Sequence, residues 1–247
     1  MRLKDVITFS FKDELARIEP EVRKTVDFML PSMPMVEACR ADDFDFFLPW
    51  IDVGKLTVSQ MHRAAQRYLL GKSKSGQPIF WLIDDMHMPL DGFISSGSWI
   101  SQLLKKREPL LKCWRVRHCL FGLHLLSLVD GADTLKPVSI VESPQSAVVL
   151  SELFPNKLWL STVPCSYFTA DLLKPLRGRQ ITVYPNTDET LSNYIAWMEL
   201  RDMVRRNDGI GISVSSYLED EATPEQKHRR IDILTLYLEH LKSKQTW

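Results

Sequence analysis

The chain has little of what marks membrane, secreted or zinc-ribbon proteins. Its 247 residues contain no run near the roughly 20 uninterrupted apolar residues of a membrane span, and its first twenty residues carry acids instead of an apolar signal core. The four cysteines form no CxxC pair, which argues against a disulfide framework. The formal net charge is zero, so overall charge does not indicate a nucleic-acid partner. We expect a cytoplasmic protein without membrane attachment, whose binding sites depend on local clusters.

The second half of the chain alternates short apolar runs with amphipathic helical segments. The predicted strands are 138–142, 157–161, 180–184 and 210–214. Each is followed by a predicted helix, and the last helix begins at the capping-box pattern of Thr223 to Gln226 and continues to Leu241. Four such units predict an α/β fold with a mainly parallel four-stranded sheet and helices on both faces.

Ahead of this sheet we expect a smaller α+β region. Residues 1–76 show helical spacing, and 77–118 contain an alternating β-hairpin followed by a basic segment. The α/β domain then occupies 119–247.

Acidic side chains follow two of the predicted parallel strands. Glu142 ends the run Val138 to Val141, and Ser143-Pro144 then supplies a helix cap with proline at the first helical position. Two further acids, Asp188 and Glu189, come shortly after the strand at 180–184. Because the carboxyl ends of parallel strands share one crevice, we expect these acids to meet, as a divalent-metal site requires. The structural alternatives are a cap or salt-bridge carboxylate for Glu142 and an N-cap for Asp188.

Two basic groups are candidates for phosphate contacts. One is the segment Lys105 to His118, which includes Arg115 and Arg117 among tryptophans and apolar residues. Its structural alternative is a solvated edge of the smaller region. The other group lies just ahead of the strand at 180–184 and comprises Lys174, Arg177 and Arg179.

Several motifs occur in an order that is known from one family. LFGLHLL at 120–126 is followed by VSIVESPQSAVVLSEL and later by ITVYPNTDET, and the hairpin QPIFWLIDDMHMPLDGFIS precedes all three. This arrangement, covering roughly 77–214, resembles the Toprim domain of phage primase-helicases and bacterial primases. It is also similar to an uncharacterised Toprim-like branch of bacterial mobile elements.

The resemblance implies a magnesium site for nucleic-acid chemistry. Glu142 matches the catalytic glutamate of the family and Asp188 the second aspartate of its Asp-x-Asp pair, while Glu189 follows where several members place an acid. Asn186 stands where the first aspartate is expected. An asparagine carbonyl can ligate Mg²⁺ but adds no charge, so the affinity for one ion falls and a second ion is harder to hold.

The other hallmarks of primase-helicases are missing. Residues 1–76 contain no cysteine and histidine set for a zinc ribbon, and the chain has no Walker A sequence. The first hypothesis is therefore a primase-like protein that acts on single-stranded DNA or RNA with Mg²⁺, beside a replication or mobilisation partner protein that selects the template. The second is a non-catalytic module that keeps the Toprim fold and binds nucleic acid or a partner protein. A third is an α/β protein that binds a small phosphorylated ligand in the same crevice.

Overall fold

A computed structural model describes residues 30–40, 47–54, 56–108, 111, 116–129, 136–163 and 169–245. Within these ranges the α-helices are α1 Met33–Ala38, α2 Leu48–Gly54, α3 Val58–Arg67, α4 Ile100–Arg107, α5 Leu126–Val129, α6 Pro144–Leu153, α7 Ser192–Asp208, α8 Tyr217–Glu221, α9 Pro224–His228 and α10 Ile233–Gln245. The strands are β1 Gly71–Lys72, β2 Pro78–Ile83, β3 Pro89–Ile94, β4 Ser98–Trp99, β5 Val138–Val141, β6 Leu158–Ser161, β7 Ile181–Val183 and β8 Ile212–Val214. The predicted helix within 1–29 lies outside the described residues.

The predicted hairpin is confirmed as the centre of an antiparallel sheet with the order β1-β2-β3-β4. All six residues of β2 are buried, because both faces of the strand are covered. Ile79, Trp81 and Ile83 pack with Val36 on one face, whereas Phe80 and Leu82 belong to the main core on the other. The residues that alternate along β2 therefore pack on two different apolar faces. This is expected for a strand that has a neighbour on each side and lies in a sheet covered on both faces.

The predicted parallel sheet is also confirmed, with the order β6-β5-β7-β8 and parallel pairing throughout. Central strand β5 is buried along its whole length, as its β-branched composition predicts. Ile140 pairs with Val183 and Val141 with Ser161. The chain therefore leaves β5 and β7 at the same edge of the sheet.

The LFG segment joins the two sheets. The backbone of Phe121 forms an antiparallel bridge with Ser161, with N–H···O distances of 2.8 and 3.1 Å, and its ring stacks on Tyr68. Gly122 follows at φ +84°, where an added Cβ would lie 2.8 Å from Cε1 of Tyr68. Only glycine fits both the conformation and the space.

Two predicted helices differ from the expectation. The segment after β6 is a 3₁₀ helix over Ala170–Leu176 with Pro175 inside it, since proline removes a helical N–H donor. The predicted last helix is two helices, because the chain turns at Arg230, whose φ of +54° ends α9. The capping box of Thr223 and Gln226 is confirmed at the start of α9.

Candidate functional site

Glu142 stands at the carboxyl end of β5, directly before helix α6. Ser143 caps that helix through a 3.2 Å hydrogen bond to its Oγ from the N–H of Ser146, and Pro144 occupies the first turn. This is the strand, acid, cap and proline order that the sequence predicts. It fixes the acid at the edge of the sheet, half-buried between two loops.

One carboxylate oxygen of Glu142 is held by three donors. Its Oε1 accepts hydrogen bonds from Nδ2 of Asn193 at 2.6 Å, from Nε1 of Trp197 at 3.3 Å and from the backbone N–H of Asn186 at 3.3 Å. Its Oε2 has no hydrogen-bond or ion-pair partner among the described residues. Glu142 is thus oriented by one oxygen and offers the other to a ligand.

Asp188 is engaged by the start of its own helix. Its Oδ1 accepts from the N–H and hydroxyl of Thr190 and from the N–H of Ser192. Its Oδ2 accepts from the hydroxyl of Ser192 and the N–H of Asn193. These five donors exceed the roughly four lone-pair positions of a carboxylate, and two of them are the first backbone N–H groups of α7. Asp188 therefore caps the helix through these contacts, although it lies three residues before the N-cap position, which is Leu191.

The environment of Asp188 keeps it ionised. Burial of the carboxylate by itself raises the pKa, but the hydrogen bonds from Asn193, Thr190 and Ser192 outweigh this and lower the pKa well below its usual value. The five donors stabilise the ionised carboxylate and would lose this charged acceptor if Asp188 were protonated.

Asn193 brings the two acids together. Its side chain donates to Glu142 while its backbone N–H donates to Asp188 at 2.8 Å. Both carboxylates line one pocket of about 470 Å³, which also includes Asn186, Ser192 and Arg230. The structure therefore places the two predicted acids at the same crevice, as the parallel topology requires.

The other two predicted ligands are placed differently. The backbone of Asn186 lies in the crevice, but its side-chain Oδ1 is buried without a hydrogen-bond partner. Glu189 is exposed, does not line the pocket, and binds Nδ1 of His228 at 2.9 Å. Asn186 thus lies with the two acids, and Glu189 faces away from them.

These contacts do not suit a two-ion magnesium site. Mg²⁺ needs oxygen ligands with open lone pairs in near-octahedral geometry. The oxygens of Asp188 are occupied by donors, Oδ1 of Asn186 is buried, and Oε2 of Glu142 remains as an open carboxylate oxygen. Across the described ranges, no group of three or more His, Cys, Asp or Glu side chains is arranged to hold a metal ion.

A second cavity of about 280 Å³ adjoins the first. Glu142 and Asn186 line both cavities, and the second also includes Phe80, Phe93 and Ser95 of the antiparallel sheet. The crevice at the carboxyl end of the parallel sheet is therefore closed on one side by aromatic residues of the other sheet. The hairpin thus contributes to the site itself.

The basic group ahead of β7 does not meet the acids. Lys174, Arg177 and Arg179 precede β7 and so lie at the amino end of the parallel strands, opposite the crevice. Lys174 is exposed and paired with Asp171 at 2.5 Å, and Arg177 donates to the backbone oxygen of Asp208. Arg117 is exposed, and Arg115 lies outside the described residues.

Several residues of the site were not predicted from the sequence, among them Asn193, Trp197 and Arg230. Asn193 and Trp197 lie one turn apart on α7. The signal in the sequence is a polar residue four positions before a tryptophan at the start of a helix. Arg230 lines the pocket from the turn between α9 and α10. The apolar spacing gave no signal for it, because Ile231, Leu234 and Leu238 all follow the turn and no residue of α9 is buried.

Comparison with known families shows a match in the middle of the chain. Residues 92–187, well under half of the chain, match the family described as a domain of unknown function, DUF6371. The matched stretch includes Glu142 and Asn186 and ends one residue before Asp188. No curated protein matches this chain. Within the described ranges, no helix combines the length and apolar character needed to cross a membrane.

Proposed function

We propose that this chain is a Toprim-like nucleic-acid-binding module whose acidic crevice binds its ligand without metal chemistry. The observation that carries the proposal is the division of labour between the two acids. Asp188 is committed to the start of α7 by five hydrogen bonds, whereas Glu142 lines the crevice and its Oε2 has no partner among the described residues.

The Toprim-like part of the proposal is supported by the placement of the motifs. The strand that ends at Glu142 and the strand that precedes the Asn186–Asp188 turn are neighbours in a parallel sheet. The LFG segment packs beside β6 in the same layer. Motif order in the sequence and position in the sheet are therefore consistent with each other, and sites of open parallel sheets occur at this edge.

Nucleic-acid binding is supported by cations around the molecule whose side chains are exposed. Lys106 and Arg107 end helix α4, Arg117 follows in the chain, and Arg230 lies at the crevice. At zero net charge, such local groups are what could hold a phosphate backbone. A partner protein for replication or mobilisation remains part of the proposal.

The alternative is a primase-like enzyme that transfers nucleotides with Mg²⁺. It is favoured by the convergence of Glu142 and Asp188 on one pocket. It requires Asp188 to give up some of its hydrogen bonds so that its oxygens can bind a cation. This would loosen the first turn of α7. The contacts in the crevice therefore favour binding over catalysis.

The binding proposal is tested with fluorescein-labelled single-stranded DNA and RNA of equal length. Fluorescence anisotropy at about 50 mM and about 200 mM salt should show an affinity that falls steeply as salt rises, because phosphate contacts release counterions. Absence of binding to either strand at the lower salt concentration would remove the proposal. The DNA and RNA arms then decide which strand the protein prefers.

The metal alternative is tested by thermal melting in a magnesium titration. We expect Mg²⁺ to raise the Tm of the wild type no more than it raises the Tm of Glu142→Gln. The control is Glu199→Gln, which removes an exposed carboxylate from α7, and Mg²⁺ should have the same effect on its Tm. A rise in the wild type that disappears in Glu142→Gln and persists in Glu199→Gln would establish the metal site instead.

A further inference from the structure

Arg230 occupies an unusual position beside the acids. It lies in the turn between α9 and α10 and adopts a left-handed backbone conformation with φ +54°, which costs a non-glycine residue about 1 to 2 kcal/mol. It is exposed and lines the 470 Å³ pocket together with Glu142 and Asn186. Its guanidinium has no hydrogen-bond or ion-pair partner in the part of the chain that the structure describes.

The turn that carries Arg230 is fastened to both acid-bearing loops. The N–H of Thr187 donates to the backbone oxygen of Ile231 at 3.1 Å. On the other side, the hydroxyl of Ser146 in α6 donates to Oδ2 of Asp232. Asp232 also caps α10 through the N–H and hydroxyl of Thr235. Arg230 is therefore held at the crevice by contacts to the segments after β5 and after β7.

The charges of the pocket define what it can bind. Asp188 is balanced by its five donors, so the groups left for a ligand are an acceptor, Oε2 of Glu142, and a cation, the guanidinium of Arg230. A ligand that uses both must present an anion to the arginine and a hydroxyl or amino donor to the glutamate. A simple anion would be repelled by Glu142, and a neutral sugar would leave Arg230 without a partner.

We propose that the pocket binds one nucleotide unit, with its phosphate on Arg230 and a sugar hydroxyl or base amino group donating to Glu142. The inference rests on the proposed function and assigns the crevice its ligand chemistry. Arginine binds phosphate through two parallel N–H···O bonds, and a volume of about 470 Å³ lies in the range of small-molecule sites. The same unit can come from a free nucleotide or from one residue of a strand.

The test compares adenosine 5′-monophosphate, adenosine and an oligodeoxyadenylate by calorimetry and anisotropy. Arg230→Gly suits the left-handed backbone and so should fold, which circular dichroism and Tm verify. It should weaken the phosphate-bearing ligands about tenfold or more and leave adenosine little changed. The control Arg205→Ala removes an exposed arginine of α7 that does not line the pocket and should bind like the wild type.

A second variant tests the acceptor side. Glu142→Gln can keep its carbonyl oxygen on Asn193 and Trp197 while an amide NH₂ replaces the open oxygen, so the fold is retained. It should weaken adenosine 5′-monophosphate and adenosine alike.

The outcomes separate the ligand source and the two proposals. Arg230-dependent binding of the mononucleotide identifies a free nucleotide as sufficient, and Arg230-dependent binding of the oligonucleotide alone identifies a strand. An oligonucleotide that binds the wild type and Arg230→Gly equally overturns this inference and leaves the proposed function standing. If the wild type binds no oligonucleotide, the proposed function fails, and the mononucleotide arm then decides the inference by itself.

Discussion

The side-chain amide of Asn193 donates a 2.6 Å hydrogen bond to Oε1 of Glu142. Through this contact helix α7 positions an acid that lies 51 residues before Asn193 in the sequence. The same residue uses its backbone N–H to bind Asp188. The helix start therefore sets the separation and orientation of both acids.

Removing this amide should disturb the site more than it disturbs the helix. Asn193→Ala leaves the half-buried carboxylate without its shortest hydrogen bond, which we expect to cost about 1 to 3 kcal/mol in the free energy of unfolding. The control Asn207→Ala, at an exposed position of the same helix, should cost less than about 0.5 kcal/mol. Urea denaturation measures both. Equal losses would show that the contact does not stabilise the fold.

The stability contributed by Asp188 should depend on pH in one direction. Because its pKa is lower in the folded protein than its ordinary value, the contribution is complete above about pH 5 and decreases as pH falls below about 4. The difference in unfolding free energy between the wild type and Asp188→Asn should follow the same course, and we expect about 2 kcal/mol at neutral pH. Denaturation from pH 3 to pH 7 measures it. A difference that grows on acidification would contradict the assignment.

Replacement of Gly122, in the LFG segment, by alanine should destabilise the protein strongly. In Gly122→Ala the new Cβ would meet Tyr68 at 2.8 Å in addition to the strain of a positive φ. We expect a loss of about 2 kcal/mol or more. Gly178→Ala has a similar φ of +82° but nothing within 4 Å, so it should lose about 1 kcal/mol. Matched Tm measurements separate the clash from the strain.

Arg230→Gly should stabilise the protein while weakening ligand binding. Glycine adopts the left-handed conformation without steric cost, so we expect an increase of about 1 kcal/mol in the free energy of unfolding. Arg229→Gly, at an adjacent position of ordinary φ, breaks an ion pair with Glu239 and should not stabilise. A stabilised Arg230→Gly with unchanged ligand affinity would indicate a strained turn without a binding role.

The sequence predicts the parallel sheet well because four short apolar runs alternate with helical segments, and two helices in this part of the chain begin at a side-chain cap. Ser143-Pro144 after β5 and the capping box at Thr223 act within a few residues, and local signals of this kind survive folding. The meeting of Glu142 with Asp188 was also predictable, since adjacent parallel strands end at the same edge. Predictions of this kind require only the spacing of apolar residues, the helix caps and the strand topology.

The remaining features depend on tertiary contacts that the pattern does not encode. The spacing of Leu191 and Ile195 suggests a packed face of α7, yet both are exposed, and Trp197 and Val204 are buried instead. The break at Arg230 leaves no mark in the apolar spacing, because Ile231 and Leu234 both follow it and no residue of α9 is buried. The saturation of Asp188 by local donors could not be seen, because an acid before a helix is equally typical of a metal ligand and of a cap.

The central claim is that the crevice binds nucleic acid through Glu142 and Arg230 and not through a metal ion held by Glu142 and Asp188. Oligonucleotide affinity measured side by side in EDTA and in millimolar Mg²⁺, at constant ionic strength, tests it most directly. Because arginine holds the phosphate, we expect the same dissociation constant within about twofold in both buffers. Binding that requires Mg²⁺ and disappears in EDTA would contradict it.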